Sequence, residues 1–273
     1  MNAKSGKRSV ILCEGQDDLW FISYYLLHAA GWDNKRAKEL WRNYQIKPSK
    51  GQNVNYLKRK NDTALVWCVG GKDAFHDPVA TLNDFNRKYP DSPIDSLVIV
   101  RDRDTDPEPA ILENLQGYFE KLDGYLPYDS DPFVLKNQTA TKYKVQSRDG
   151  REVLTCVTPI IIPFDEEGAV ETLLINAVQE SGPGGKAIVH SAKEFVSSLG
   201  KCDPVLKEGY LARQRMVLKA KFSSVIAITN PDHSTGSFQD MILKCPWDKS
   251  DTVKEYFSAI LTSITSATSV ASA

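Results

Sequence analysis

Short apolar runs, each followed by apolar residues at helical spacing, recur through the first half of the chain. The first run covers residues 9–13, and apolar residues between Leu19 and Ala30 follow it, which predicts a buried strand and then a helix. Further strands are predicted at residues 64–69 and 96–100, each followed by a helix. Because each strand is an almost continuous aliphatic run, the pattern predicts an α/β fold with a mostly parallel sheet flanked by helices.

The second half of the chain begins with a different pattern. Residues from about 133 to 155 alternate between apolar and polar around Asp149-Gly150, which predicts an antiparallel hairpin. The apolar run at residues 159–163 begins and ends with proline, so we expect a core strand at an edge of the sheet. A helix is predicted over residues 168–178, and most of residues 191–261 has a helical pattern.

These elements indicate two regions. We expect an α/β domain over residues 1–180 and a helical region over residues 181–273 that packs on it, with a frayed tail at residues 262–273. Residues 32–62 are polar and basic and break the strand–helix alternation, so we expect them to be an insertion in the first region.

The insertion carries most of the local charge imbalance. Between residues 35 and 60 there are nine Lys and Arg residues and a single acid, with Trp41, Tyr44 and Tyr56 between them. Basic side chains interleaved with aromatic rings are typical of nucleic-acid binding. A docking surface for an acidic partner and a solvated basic loop are the alternatives. The predicted nucleic-acid-binding residues are Lys35, Arg36, Lys38, Arg42, Lys58, Arg59 and Lys60.

Composition excludes several other classes of protein. The chain has 273 residues and a formal charge of −1, so it is neither a uniformly basic coat protein nor an acidic tail protein. Its five cysteines are far apart and form no CxxC pair, which argues against a disulfide framework and a cysteine-based zinc site. We recognise neither a signal peptide nor an apolar run long enough to span a membrane, and we expect a cytoplasmic protein.

Acidic residues follow two of the predicted strands. Glu14 comes directly after the first strand, with Asp18 in the first turn of the next helix, and Asp102 and Asp104 follow the strand at residues 96–100. Ligands of open α/β sheets bind at the carboxyl ends of the strands. Clustered carboxylates repel one another unless a cation neutralises them or some of them become protonated, and their hard oxygen atoms suit Mg²⁺ or Mn²⁺. Any one of these residues alone is equally well explained as a helix cap or a solvated side chain.

Taken together, residues 10–18 (VILCEGQDD) and 97–104 (LVIVRDRD) resemble the Toprim domain of topoisomerases, bacterial primases, small nucleases and the overcoming-lysogenization-defect (OLD) nucleases. Glu14 matches the glutamate of that family, and Asp102 and Asp104 match its DxD pair. Asp18 matches a second acidic position of OLD-type members. The order of parts over residues 8–180 also resembles stand-alone Toprim-like proteins of unknown function, so a Toprim fold is implied.

The resemblance implies metal-assisted cleavage of phosphodiester bonds. Glu14, Asp102 and Asp104 would be catalytic and, with Asp18, would bind Mg²⁺ or Mn²⁺. Glu171 is a further candidate metal ligand, and Lys219 is a candidate for a lysine that reaches the scissile phosphate. A solvated helical pair with Glu167 and a solvated basic helix face are the alternatives for these two residues.

Partners are implied by the resemblance as well. Gly184-Gly185-Lys186 lacks the upstream glycine of a Walker A loop, so an ATPase function would have to come from a separate protein. The implied role is that of an effector in an antiphage defence system, with nucleic acid as substrate and a homodimer as a further option. A non-catalytic Toprim-fold subunit that docks on an ATPase is the alternative. A receiver-like phosphoacceptor is a third, weaker interpretation, since receivers are much shorter.

Overall fold

The structure is a computed structural model that describes residues 6–35, 52–128, 133–202, 208–233, 238 and 247–266. It confirms an α/β fold with a mixed sheet in the strand order β2-β3-β1-β4-β7-β6-β5. The strands are β1 (Arg8–Cys13), β2 (Asn53–Arg59), β3 (Asp62–Cys68), β4 (Ser96–Asp102), β5 (Tyr125–Pro127), β6 (Thr141–Gln146) and β7 (Glu152–Ile162). The α-helices are α1 (Gln16–His28), α2 (His76–Lys88), α3 (Glu108–Phe119), α4 (Val170–Glu180), α5 (Pro183–Cys202), α6 (Gln214–Thr229) and α7 (Asp251–Ile264).

The chain forms two compact units. The first comprises residues 1–101, 106–161 and 258–273, and the second comprises residues 102–105 and 162–257. The first unit contains nearly all of the sheet, and the second contains the helices from α4 to α6 and the first half of α7. Among the described residues, no helix is long and apolar enough to cross a membrane.

The parallel centre of the sheet confirms the strands predicted from the aliphatic runs. Cys13 at the end of β1 pairs with Cys68 of β3 on one side and with Val100 of β4 on the other, both in parallel register. On one face of these strands, α2 and α3 bury their apolar stripes against the sheet. This core contains, among others, Leu12, Trp67, Ile99, Leu82, Phe85, Ile111, Leu115 and Phe119.

The predicted insertion is in part a strand of the sheet. Residues 53–59 form β2, which pairs antiparallel with β3 through a two-residue turn at Lys60-Asn61. Val54 and Tyr56 pack against the core, because alternate residues of a strand point to the same face. The sequence of residues 53–59 does contain the period-two pattern of a strand. The many basic residues of this region led us to predict an insertion instead.

The antiparallel hairpin is confirmed, but the predicted edge position of the last core strand is wrong. β6 and β7 pair antiparallel on either side of the turn that contains Asp149-Gly150. β7 lies inside the sheet, between β4 and β6. Its pairing with β6 ends at Val157, so Pro159, which has no N–H to donate, lies beyond the last β6 partner. The Pro159 carbonyl accepts a hydrogen bond from Gln138 N at 2.8 Å.

In the second unit, α4, α5 and α6 pack against one another. The chain breaks between α4 and α5 only at Ser181-Gly182, and α5 begins at Pro183, a residue that suits the first turn of a helix. Gly185 lies so close to α4 that a Cβ atom there would be 2.1 Å from the carbonyl oxygen of Val178. The sequence predicted this helical region, although α5 begins eight residues earlier than the pattern indicated. Helix α7 continues to Ile264, and residues 267–273 of the predicted tail lie outside the described residues.

Candidate functional site

The carboxyl ends of β1 and β4 lie side by side at one edge of the sheet. The register pairs Cys13 with Val100, Glu14 follows β1 directly, and Asp102 is the last residue of β4. The Glu14 carbonyl accepts hydrogen bonds from the N–H groups of Gly70 and Gly71, each at 3.0 Å. Both glycines have positive φ angles, 95° and 136°, which side chains disfavour. The turn at Gly70-Gly71 therefore fixes the backbone where Glu14 leaves the sheet.

The Glu14 side chain faces an arginine. Arg101 Nε lies 3.6 Å from Glu14 Oε1, and the two side chains are only 6% and 13% exposed. Arg101 Nη2 lies 3.5 Å from Asp106 Oδ2, and Lys72 Nζ lies 3.3 Å from the same oxygen. Two acidic and two basic side chains thus alternate in the series Glu14, Arg101, Asp106 and Lys72, and their formal charges cancel. The series lies in the first unit, at the edge of the sheet where the parallel strands end.

Arg101 was missed by the sequence reasoning, although strand alternation carries the signal. Leu97 and Ile99 point into the core beneath α2 and α3, so the residue two positions later points to the same face. The register that pairs Cys13 with Val100 then sets Arg101 level with Glu14. A buried guanidinium requires compensating charge, and Glu14 and Asp106 supply it.

Asp18 has a local structural contact. It is 5% exposed, and its Oδ2 accepts a hydrogen bond from the N–H of Gly15 at 2.8 Å. Gly15 is the N-cap of α1 and Asp18 is its third residue, so this contact closes the first turn of the helix. A carboxylate at this position also interacts favourably with the helix dipole.

In the second unit, the DxD segment is attached to the start of α4. Asp102 Oδ1 accepts a hydrogen bond from the N–H of Val170, the first residue of that helix, at 3.2 Å. Asp104 has a φ angle of 49° and exchanges two backbone hydrogen bonds, of 2.7 and 2.9 Å, with Gly168. Aspartate tolerates this left-handed conformation better than most residues. The two aspartates therefore have fixed backbone positions.

Two other candidates, Glu171 and Lys219, are brought together. Lys219 Nζ on α6 donates to Glu171 Oε1 on α4 at 2.5 Å. The Glu171 side chain is 6% exposed and that of Lys219 is 37% exposed, so a partly exposed lysine pairs with a buried carboxylate. One turn away, Gln214 donates to Glu167 at 3.2 Å. Helix α6 thus contacts Glu171 in the first turn of α4 and Glu167 in the segment before that helix.

The chemistry of these carboxylates suits Mg²⁺, but the side chains are not grouped as a closed metal site. Among the residues that the structure describes, no three His, Cys, Asp or Glu side chains form a group that could hold a metal ion. Glu14 is paired with Arg101, and Glu171 with Lys219. Binding of Mg²⁺ or Mn²⁺ therefore stays a prediction.

The predicted nucleic-acid interface is described only in part. Arg36, Lys38 and Arg42 lie outside the described residues, as do Trp41 and Tyr44. Lys35 and Lys60 are exposed, whereas Lys58 and Arg59 are half-buried.

The described part of this interface follows the edge strand β2. Asp33 and Lys58 exchange two backbone hydrogen bonds of 2.8 Å, which bring the segment ending at Lys35 alongside β2. Tyr56 packs against the core, and burial raises the pKa of its phenol. The basic residues on both sides of the undescribed segment thus share one edge of the sheet.

Comparison with known proteins identifies a family without an assigned activity. The model of a family described as protein of unknown function, DUF3226, matches residues 8–265. A solved structure, that of a hypothetical protein from Pyrococcus horikoshii OT3, is 14% identical, with a TM-score of 0.47, and the match covers 93% of this chain and 99% of that one. No curated protein matches the chain.

Proposed function

The chain belongs to the DUF3226 family of proteins of unknown function, and we propose that it is a nuclease of the Toprim type that cleaves phosphodiester bonds with Mg²⁺ or Mn²⁺. The observation that carries the proposal is the pairing of β1 with β4, the two strands that lead into Glu14 and Asp102. One follows β1, the other ends β4, and these two strands are parallel neighbours in the sheet. Open α/β sheets bind their ligands at this edge.

In this proposal, Glu14, Asp102 and Asp104 hold the metal ion. A bound divalent ion lowers the pKa of its water and stabilises negative charge on the phosphate. The protein contributes to this chemistry by fixing the backbone at each of these acidic residues. Gly70 and Gly71 hold the Glu14 carbonyl, and the contacts with Gly168 and Val170 hold the DxD segment. Precise positioning of this kind is what metal-dependent phosphoryl chemistry requires of a protein.

Three cationic groups assist in different ways. Arg101 neutralises Glu14 in the absence of a metal ion, so the acid does not remain buried with an unbalanced charge. Lys219 does the same for Glu171, and its partial exposure leaves it able to approach a phosphate. The basic residues along β2 attract the nucleic-acid backbone through a salt-dependent electrostatic interaction.

The proposed setting is the cytoplasm, where the protein acts as an effector of antiphage defence together with a separate ATPase. This setting rests on the resemblance to OLD-type Toprim nucleases. The ATPase is part of the proposal because the glycine-rich segment at residues 184–186 lacks the Walker A spacing.

A non-catalytic, Toprim-fold binding subunit is the second candidate function. It is favoured by one observation: two of the candidate acids, Glu14 and Glu171, are already neutralised by Arg101 and Lys219. Such a subunit would use the same charged residues to stabilise its fold and would dock on the ATPase without cleaving nucleic acid.

A cleavage assay separates the two functions. The purified chain, alone and with any ATPase that a neighbouring gene encodes, is incubated with mixed DNA and RNA in Mg²⁺, in Mn²⁺ and in EDTA. The nuclease proposal predicts metal-dependent cleavage that Glu14→Gln abolishes and Glu113→Gln, an exposed control on α3, leaves intact. Defence activity that survives Glu14→Gln and Asp102→Asn, with no cleavage by the wild type, would favour the binding subunit.

A further inference from the structure

The Asp106 carboxylate lies between two cationic side chains of the first unit. Its Oδ2 is 3.3 Å from Lys72 Nζ and 3.5 Å from Arg101 Nη2. Charge-assisted N–H···O hydrogen bonds measure about 2.7–2.9 Å, so both contacts are long. The Asp106 side chain is 38% exposed and that of Lys72 is 45% exposed, and ion pairs between such side chains contribute little stability. One carboxylate oxygen thus serves two cations through contacts that a competing anion can replace.

Arg101 does not use its full capacity for hydrogen bonding. The residue is 5% exposed, and its Nε and Nη1 atoms have no hydrogen-bond acceptor among the residues that the structure describes. Its contact with Glu14 is an ion pair of 3.6 Å, which is longer than a hydrogen bond between nitrogen and oxygen. A guanidinium has five N–H donors, and buried polar groups are almost always paired in proteins. These donors favour a ligand that offers several acceptor oxygen atoms.

The turn before Lys72 leaves room for such a ligand. Gly70 and Gly71 form this turn, and apart from their chain neighbours no described atom lies within 4 Å of the position that a Cβ would take at either glycine. Their positive φ angles, 95° and 136°, also disfavour any side chain there. A ligand can therefore reach Lys72 past a stretch of backbone that carries no side chains.

Charge balance favours a phosphodiester as this ligand. The formal charges of Glu14, Arg101, Asp106 and Lys72 cancel. Each phosphodiester of a nucleic-acid backbone carries one negative charge, as Asp106 does, so its exchange for the aspartate keeps the balance. A phosphomonoester dianion would instead add a further negative charge close to Glu14, whose side chain is only 13% exposed. The two cations therefore match an internal phosphate of a nucleic acid.

We propose that Arg101 and Lys72 form a subsite for a backbone phosphodiester of nucleic acid, and that Asp106 occupies this subsite until nucleic acid binds. The phosphate oxygens replace Asp106 Oδ2 as the acceptor for both cations. The guanidinium suits this exchange, because its planar fork matches phosphate as well as carboxylate geometry. The subsite deepens the proposed nuclease function and rests on it for the class of ligand. Asp106 thus competes with the substrate.

Fluorescence anisotropy of the full chain in EDTA tests the subsite, because it measures binding while metal-dependent cleavage is blocked. The probes are a short labelled DNA strand, its duplex and an RNA of the same sequence. We expect Asp106→Asn to tighten binding of at least one probe by roughly threefold or more, because the competing charge is removed. Lys72→Gln should weaken binding of that probe by a similar factor. In the Lys72→Gln background, Asp106→Asn should lose much of its effect.

Asp84→Asn is the matched control, since Asp84 is also an exposed acid of the first unit and pairs with a cation, Arg148. It should leave the affinity unchanged, and a gain equal to that of Asp106→Asn would overturn the proposal. Equal binding of the wild type and Asp106→Asn to every probe, or no binding by either, would also overturn it. So would an Asp106→Asn variant that gains affinity for inorganic phosphate, added as a competitor, but for no nucleic acid.

The outcome is separate from that of the nuclease proposal. A chain that shows the expected changes in affinity but cleaves nothing in Mg²⁺ or Mn²⁺ would support the subsite and contradict the nuclease. A chain that cleaves, with an affinity that Asp106→Asn leaves unchanged, would do the reverse. Circular dichroism of the variants checks that each substitution leaves the fold intact.

Discussion

Lys219 and Glu171 are 48 residues apart in the chain, yet the lysine ammonium donates to the glutamate carboxylate at 2.5 Å. The glutamate side chain is almost completely buried, and Lys219 places the opposite charge beside it. We predict that Lys219→Met lowers the free energy of unfolding by about 1–3 kcal/mol, because a buried acceptor loses its donor. Urea denaturation measures this change.

The double variant Lys219→Met/Glu171→Gln is the control for this pair. With both charges removed, the second substitution should restore part of the stability lost in the first. If Lys219→Met alone leaves the denaturation midpoint unchanged, the pair does not contribute to stability and Lys219 is free for another role.

A second prediction concerns Arg101, which competes with a metal ion for Glu14. Arg101→Met removes the positive charge and keeps much of the apolar stem, so we expect Mn²⁺ to bind about tenfold more tightly, a change of about 1.4 kcal/mol. Arg101→Lys keeps the charge and should bind Mn²⁺ like the wild type. Equal affinities in the methionine and lysine variants would show that Arg101 does not control access of a metal ion to Glu14.

Two substitutions of Asp102 separate its contribution to stability from its proposed role as a metal ligand. Its Oδ1 accepts the N–H of Val170, so Asp102→Ala should cost about 0.5–2 kcal/mol of stability by removing the acceptor at the start of α4. Asp102→Asn keeps an oxygen acceptor and should be nearly as stable as the wild type, while losing metal-dependent cleavage. Thermal unfolding and the cleavage assay, performed on both variants, test this difference. An asparagine variant that cleaves normally would exclude Asp102 as a metal ligand.

The contacts between Glu180 and the start of α7 should make the stability of the protein depend on pH. Burial alone would raise the pKa of this carboxyl, but hydrogen bonds from Ser250, Thr252 and the first N–H groups of α7 outweigh it and lower the pKa. Because the folded-state pKa lies below the ordinary value, the stabilisation is complete above pH ~4.5 and is lost as the pH falls further.

Glu180→Gln tests this linkage. Near neutral pH it should reduce the free energy of unfolding by about 1 kcal/mol, as loss of a helix cap does. The difference from the wild type should shrink as the pH falls below ~4.5, the ordinary value of the pKa, and the wild-type carboxyl becomes protonated. A difference that stays constant over this range would contradict the lowered pKa.

The basic residues along the edge strand β2 lead to a prediction about the salt dependence of nucleic-acid binding. If Lys35 and Lys60 contact phosphates, the variant Lys35→Gln/Lys60→Gln should reduce the slope of log affinity against log salt by about 1.8 for duplex DNA. Fluorescence anisotropy over a range of salt concentrations measures this slope. Lys121→Gln/Lys186→Gln removes two exposed lysines elsewhere and serves as the matched control. Equal slopes for the two double variants would exclude Lys35 and Lys60 from the interface.

The sequence was sufficient for elements whose residues carry a regular pattern. The three aliphatic strands and the hairpin around Asp149-Gly150 were predicted, because burial on both faces and a tight turn leave clear local signals. β2 was missed because nine basic residues dominated the composition of its region, while its alternation spanned only a few residues.

Side-chain partners were much less predictable than strands. Glu14 was singled out for its place after β1, but its pairing with Arg101 depends on the relative register of β1 and β4. The contact between Lys219 and Glu171 joins two helices of the second unit, and no local pattern relates them. Ion pairs of this kind follow from tertiary packing, which a single sequence does not state.

Direct measurement of metal binding tests the central claim that Glu14, Asp102 and Asp104 serve one divalent ion. Electron paramagnetic resonance of Mn²⁺, titrated with the full chain, counts bound ions and gives their affinity. We predict that the wild type binds Mn²⁺ and that Glu14→Gln and Asp102→Asn each weaken binding at least tenfold, while Glu113→Gln has no effect. A wild type that binds no Mn²⁺, or variants that bind it as the wild type does, would contradict the account.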